Sequence, residues 1–519
     1  MKILKSIQVF CLIGILLLFP ACSDYLEVEN TNNPDTATAL QNINDIEALV
    51  GNQYQQWWKG VQSRGFNDRV TLLGLESTNG YSFVRDFFRI PATAYENTPT
   101  YRWKAVVTTP WSNLYTAISS VNDGLSATDV RGLEFEDNAR TQRLRAFAKF
   151  IQGISYMALA NHFDKAFILD ENFDLTTDEL IFEPSEAVFD FGLKKLQEAR
   201  DIASSNSFTL PNNWIIGNPL SSDDFVKLMN SYEARYRLQQ CRTPDCRDNL
   251  DWPKIKTLVE NGLEELNIES NSNVWGESPG ILQGTIFRTN YYLIGHTDVS
   301  GKFEEWINAD PELRSEFVLE TADRRIAGQE DVTVVDNEGQ TVVLEARKRA
   351  PGTDFRWRGA SSWPATNGGW YGSLYMPIRT EDIWLNGGIG VINHIRSAEI
   401  DMYLAEALLR ASEPNVDPVA VALINKTRVE RGGLEPVTEA DNFDEVWNAM
   451  RYEFDIETTV SSAGLHYYHK RGLGNYRGLN YGGLIEGTPL QFPIPADELD
   501  LLELPYYTFG GVGGDSAAP

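Results

Sequence analysis

The 519-residue sequence predicts a mainly α-helical protein, built of helical hairpins side by side and interrupted by one long irregular insertion. Three observations predict this. Apolar residues recur at three- and four-residue spacing through the first two-fifths of the chain and again through its last quarter. Helix-starting and helix-stopping residues bracket several of those stretches. Between about 268 and 396 the periodicity gives way to Gly, Asn, Ser and Pro punctuation.

Taken in order, Ile43 to Lys59 carries Ile46, Leu49, Val50, Tyr54, Trp57 and Trp58 at helical spacing, and Gly60 reads as its stop. Thr109-Pro110 reads as a cap followed by a proline at the first helical position, ahead of Trp111, Leu114, Ile118, Val121 and Leu125. Residues 137–163 repeat the pattern with Leu144, Phe147, Ile151, Ile154 and Leu159. Further helices are predicted over 185–203, 222–240, 252–266, 397–411, 417–431 and 441–456, with Asp417-Pro418 as a start and Gly432-Gly433 as a stop. They pair through short polar loops, as helical hairpin arrays do. No 34-residue repeat consensus is visible. Within the insertion, Thr333 to Leu344 reads as a β-hairpin turning about Asp336–Gly339. A long irregular insertion in a helical array more often carries function than filler.

Composition excludes two classes. With 45 Lys+Arg against 73 Asp+Glu, the formal charge is −28, and no basic tract offers itself to phosphates, so nucleic acid is not the partner. With 13 Trp, 21 Tyr and 25 Phe, the chain is too aromatic to be disordered.

Residues 1–21 read as a signal peptide: Lys2 and Lys5 precede an apolar run from Ile7 to Phe19, too short to span a bilayer. The run ends in Ala21-Cys22, which resembles a bacterial lipobox and implies acylation of Cys22. A plain secretory cut after Ala21 is the blander reading. Residues 22–42 read as a polar tether, and no later run suits a transmembrane helix, so the expected protein is held by lipid and otherwise soluble. Cys241 and Cys246 have four residues between them; a small-loop disulfide and two free thiols are equally open. No further ligands for a zinc site lie nearby, and no metal or cofactor is expected.

Five stretches resemble the SusD/RagB outer-membrane lipoproteins. They are Cys22-Ser-Asp-Tyr-Leu26; Pro110 to Leu125; Ala146 to Leu159; Ala398 to Arg410 with Ile424 to Arg428 and Arg431 to Leu434; and Gln491 to Leu499. The resemblance runs across nearly the whole chain. It implies a tetratricopeptide-like scaffold over 43–267 and 397–519, with 268–396 forming a ligand face, in one domain spanning 43–519. It also implies a non-catalytic binder of glycans, or of peptides in some branches, that serves a SusC-like TonB-dependent transporter. One departure lies near the C-terminus. Arg451 to Glu457 and His466 to Arg471 stand where the family often has a Glu-Arg…Glu-Leu run and Asp-Leu-Arg-Arg, which leaves the ion pairs of that segment open.

The aromatic distribution points to the ligand face. Phe355, Trp357, Trp363, Trp370, Tyr371, Tyr375 and Trp384 fall within 30 residues that lack helical periodicity, so four of the 13 Trp crowd one stretch. A flat ring with a polar edge can stack on a sugar while Asn and Arg bond its hydroxyls. Anchoring the insertion to the helices is the competing use of any single ring. A second concentration runs from Tyr81 to Trp103 around Asn79 and Arg85. By analogy with the family, the candidates are Asn79, Tyr81, Trp357, Arg358, Trp363, Trp370 and Tyr371.

Enzyme motifs are missing. There is neither a G-x-S-x-G elbow nor a P-loop, and among 73 acids no sequence pair singles out a glycosidase dyad. A secreted glycoside hydrolase is the rival of another class. His466 and His469 read as interfacial or core aromatics rather than ligands. Asp336, Asn337 and Glu338 lack the ligand spacing of an EF-hand.

Overall fold

The longest helical pattern in the sequence becomes the centre of the molecule. In the computed structural model, which describes residues 41–79, 90, 92–271, 287–359, 372–474 and 483–514, the first helices are α1 (Ile43–Gly51), α2 (Gln53–Gln62) and α3 (Arg64–Leu73). Then come the short strand β1 (Ser77–Thr78) and helices α4 (Ala105–Leu125) and α5 (Asn138–His162). Asp137 caps α5 by accepting the Ala139 amide, and every residue from Ala146 to His162 is buried. A helix buried all round must be wrapped by others. The hairpin β2 (Lys165–Phe167) with β3 (Phe182–Pro184) leads to α6 (Ser185–Ser205), which lies closely along α5. Glycine permits that approach: a Cβ on Gly153 would stand 3.1 Å from the Gly192 carbonyl, and one on Gly192 3.0 Å from the Gly153 carbonyl. Next come α7 (Ser222–Gln240), α8 (Pro244–Asp248) and α9 (Trp252–Glu260). Cys241 and Cys246 are joined in a disulfide around the start of α8.

Four helices differ from the sequence reading by three residues or more, one being the predicted 417–431 helix, which ends at Arg428 ahead of the Gly432-Gly433 stop. The first helix is broken at Asn52 and its continuation runs through Gly60 to Gln62. The predicted 252–266 helix stops at Glu260, because Asn261 caps it and Leu266 already belongs to a strand. Helix α4 begins five residues before Pro110, which therefore sits inside it. Proline lacks the N–H that would bond the carbonyl four residues back. That carbonyl, Val106 O, accepts instead from His162 Nε2 at 2.8 Å. With its proton on Nε2, the ring takes the Tyr468 hydroxyl at Nδ1, 2.9 Å away. Burial pushes His162 down to about 3, so the ring is neutral.

The insertion enters through β4 (Leu266–Asn271) and leaves through β10 (Ile389–Ile395), which pair antiparallel as a stem. Between them lie β5 (Arg288–Thr289), α10 (Tyr291–Ile294), α11 (Lys302–Asn308), the hairpin β6 (Val332–Val335) with β7 (Thr341–Leu344), the hairpin β8 (Phe355–Trp357) with β9 (Tyr375–Pro377), and α12 (Glu381–Leu385). The β6–β7 hairpin turns where the sequence placed it, with Gly339 at φ +77°. The chain then returns to helices: α13 (Ser397–Ser412), α14 (Pro418–Arg428), α15 (Phe443–Glu457), α16 (Leu465–Leu473) and α17 (Ala496–Leu501). The architecture is mainly α with small two-stranded sheets, a helical-hairpin scaffold carrying an irregular insert.

Two apolar cores follow. The larger joins the helices of both scaffold parts, with Trp57, Trp58, Phe150, Tyr232 and Trp447 nearly inaccessible. The smaller lies under the insertion and gathers Tyr291, Trp306, Leu319, Phe355 and Tyr375 against Tyr452 and Ile456 of α15. Beside it is a buried ionic cluster. Arg325 bonds Asp323 at 2.7 Å, Glu453 at 2.5 Å and Glu457 at 2.9 Å. Arg379 bonds Asp354 at 2.6 Å, and Arg431 bonds both Asp354 and Glu457. The ion pairs left open near the C-terminus thus exist: Glu453 and Glu457 pair with Arg325 and Arg379 of the insertion, while Glu457 also meets Arg431 and Asp455 meets Lys470 within the scaffold. His466 and His469 are both buried: His466 Nδ1 faces Glu76 at 3.1 Å, and His469 stacks on Phe454 with ring centroids 3.9 Å apart.

Candidate functional site

Four short strands bring distant parts of the chain to one place. β1 pairs antiparallel with β5, setting Thr78 opposite Arg288. β8 pairs with β9, setting Trp357 opposite Tyr375, and the Arg358 amide continues the ladder to Leu374 O at 2.7 Å. β5 lies beside β9. Asn79, at the end of β1, and Trp357 and Arg358, at the end of β8, therefore belong to one strand group, with β5 and β9 between them, although 278 residues separate the first two by number.

Their exposures differ. Asn79 is 1 % exposed, so it supports the strand group from behind and presents no surface. Trp357 is half-buried and Arg358 exposed. The guanidinium of Arg349 lies 5.2 Å from the Trp357 ring centroid. The Trp357 Nε1 is buried without a hydrogen-bond partner, a donor held in reserve. Tyr81, Trp363, Trp370 and Tyr371 lie outside the described residues, as does Cys22. Of the other rings in the dense aromatic stretch, Phe355 and Tyr375 are fully buried in the smaller core, and Trp384 is 44 % exposed. In the second concentration, Tyr95 is buried edge-on against Tyr101 and Phe492, and Trp103 is covered by Arg69 and Arg102. Those rings anchor rather than present.

Sequence reasoning missed Arg288. It is 3 % exposed and lies at the centre of the strand group, and no sequence signal marks it, since its pairing with Thr78 across 210 residues appears only in the fold. Burial and the charges of Arg358 and Arg356 hold it below the ordinary arginine range, opposed by Glu316. Arg356 is itself paired with Glu381. The face thus offers one aromatic ring, an indole donor and several guanidinium donors, the chemistry that stacks on and hydrogen-bonds a polyhydroxylated ligand.

Among the clefts lined by described residues, two roomier ones lie elsewhere. One, of about 620 Å³, runs along α4 past Trp111, Tyr115, Phe167 and Glu171. Its polar groups are largely engaged: Trp111 Nε1 bonds Glu498, the Tyr115 hydroxyl bonds Phe167 backbone, and Glu171 pairs with Lys149 and Lys195. The other, of about 520 Å³, lies along α15 against His296. Among the described residues no cluster of His, Cys, Asp or Glu suits a metal, and no helix is long and apolar enough to cross a membrane.

The fold is that of the SusD superfamily. A SusD superfamily protein from Bacteroides thetaiotaomicron matches with a TM-score of 0.54 at 11 % identity, over 88 % of this chain and 98 % of that one. Another, from Bacteroides vulgatus, matches with a TM-score of 0.54 at 14 % identity, over 89 % and 97 %. A laminarin-binding SusD-like protein matches with a TM-score of 0.52 at 16 % identity, over 90 % and 98 %. No family model and no curated protein sequence matches the chain.

Proposed function

We propose that this chain is a non-catalytic glycan-binding lipoprotein of the outer membrane, facing outward. It captures oligosaccharides and passes them to a SusC-like TonB-dependent transporter. The observation that carries the binding step is the strand face itself: Trp357 half-open beside exposed Arg358, on a fold shared with a laminarin-binding protein. A ring and guanidinium donors on short, paired strands form a rigid platform, which keeps the ordering cost of binding low. The lipid claim rests on the lipobox-like Ala21-Cys22, and the transporter on the resemblance across the five sequence stretches. Isothermal titration against a glycan panel and a peptide pool tests the binding claim, with saturable heat from at least one glycan expected. Binding of peptides alone would make this a peptide receptor on the same fold. Release of products from any polysaccharide by the purified chain would make it a glycoside hydrolase. Cys22→Ala is expected to release the protein from membranes.

A further inference from the structure

Arg288 is buried, yet its Nε and Nη1 meet no hydrogen-bond acceptor. Arginine keeps its charge at any working pH, and a buried charge with no hydrogen-bonded counter-ion destabilises the molecule that holds it. Its surroundings deepen the imbalance. Arg349, Arg356 and Arg358 occupy the same strand group; Glu381 is taken up by Arg356, and Glu316 is the other carboxylate acting there. Among the described residues, positive charge therefore exceeds negative at this face, in a chain whose net charge is −28. Neutral hydroxyls can bond a guanidinium but cannot balance its charge. A carboxylate or a sulfate does both, and can meet the planar fork through two oxygens.

We infer that the strand face takes an anionic glycan, whose uronate carboxylate or sulfate group is held by Arg288 while Trp357 stacks on a neighbouring sugar ring. This rests on the glycan-binding reading above and narrows it. Arg358, exposed at the edge, meets the ligand first, and Arg288 receives its charge behind it.

Titration of the purified chain with oligogalacturonate, a sulfated carrageenan oligosaccharide and a neutral laminari-oligosaccharide, at low and high salt, tests it. One of the two anionic ligands is expected to bind at least about tenfold more tightly than the neutral one, and to weaken as salt rises. Which of the two binds identifies the group. Arg288→Met is expected to weaken that ligand about tenfold while the Tm of the free protein holds or rises, because an uncompensated buried charge has been removed. A purely structural arginine behaves oppositely, losing Tm and keeping affinity, and that result overturns the inference. Arg358→Gln, at an exposed position, gives a second readout: a smaller loss of affinity with unchanged Tm supports the assignment, and unchanged affinity counts against it. Preference for the neutral glycan overturns the inference and leaves the proposed function standing. Binding of poly-glutamate with no glycan overturns both.

Discussion

The helical scaffold and the insertion are held together by different physics. The scaffold rests mainly on apolar packing: α5 is buried along most of its length, glycines let α6 close on it, and rings such as Trp57 and Trp447 fill what remains, with the buried pairs Arg235–Glu399 and Arg247–Glu406 set within it. The insertion has only a small aromatic core of its own, and it is fastened to α15 by charges, with Arg325, Arg379 and Arg431 set among Asp323, Asp354, Glu453 and Glu457. Apolar packing is additive and tolerant of volume-conserving change. A buried ionic cluster fails when one member is removed, because the partners are left uncompensated. The insertion should therefore be the brittle half.

The largest expected effect follows from that. Glu453→Ala removes one of the three carboxylates around buried Arg325 and leaves the cluster short of negative charge, and is expected to cost about 3–5 kcal/mol, measured as a shift in the urea midpoint. If Glu453→Ala costs no more than an exposed substitution, the cluster does not fasten the two regions. A smaller loss is expected in the scaffold from His162→Leu. That change leaves Val106 O and the Tyr468 hydroxyl unpaired and is expected to cost about 2–3 kcal/mol, read from the same unfolding curves.

The same residue predicts a pH dependence. His162 is held near 3 when folded and returns to about 6.5 when unfolded. The unfolded chain therefore binds the extra proton between these values, and stability falls as pH drops from about 6.5 towards 3. Burial pushes His394 and His469 down as well, which adds to the acid sensitivity. His466 opposes it, since Glu76 holds it above its ordinary value against burial, a contribution lost as pH rises. A midpoint that did not fall on acidification would contradict the neutral, buried assignment of these rings. The smallest effect belongs to the β6–β7 hairpin. Val343 is 50 % exposed, so Val343→Thr is expected to stay within about 0.5 kcal/mol, and a larger loss would reveal packing on that hairpin.

The same division explains what the sequence could tell. Scaffold helices announce themselves locally, through apolar spacing and caps such as Asp137 and Asp417. Pro110 misled because the carbonyl it leaves unbonded is satisfied by a histidine 56 residues away in the chain, a partner no local rule anticipates. The hairpin about Asp336–Gly339 was legible for the same local reason. At the site, Trp357 and Arg358 stood out by residue type. Asn79 proved to be buried, and Arg288 was invisible, since burial and cross-strand pairing are properties of the fold. The Arg325 cluster was hidden likewise, its glutamates lying 128 and 132 residues along the chain.

Hydrogen exchange with and without a bound oligosaccharide tests most directly where the ligand sits. The strand-face account predicts added protection over residues 77–79, 287–289, 355–358 and 374–376, with the amides of α4 and α15 unchanged. Protection confined to the clefts along α4 or α15, with the strand amides unaffected, would contradict it.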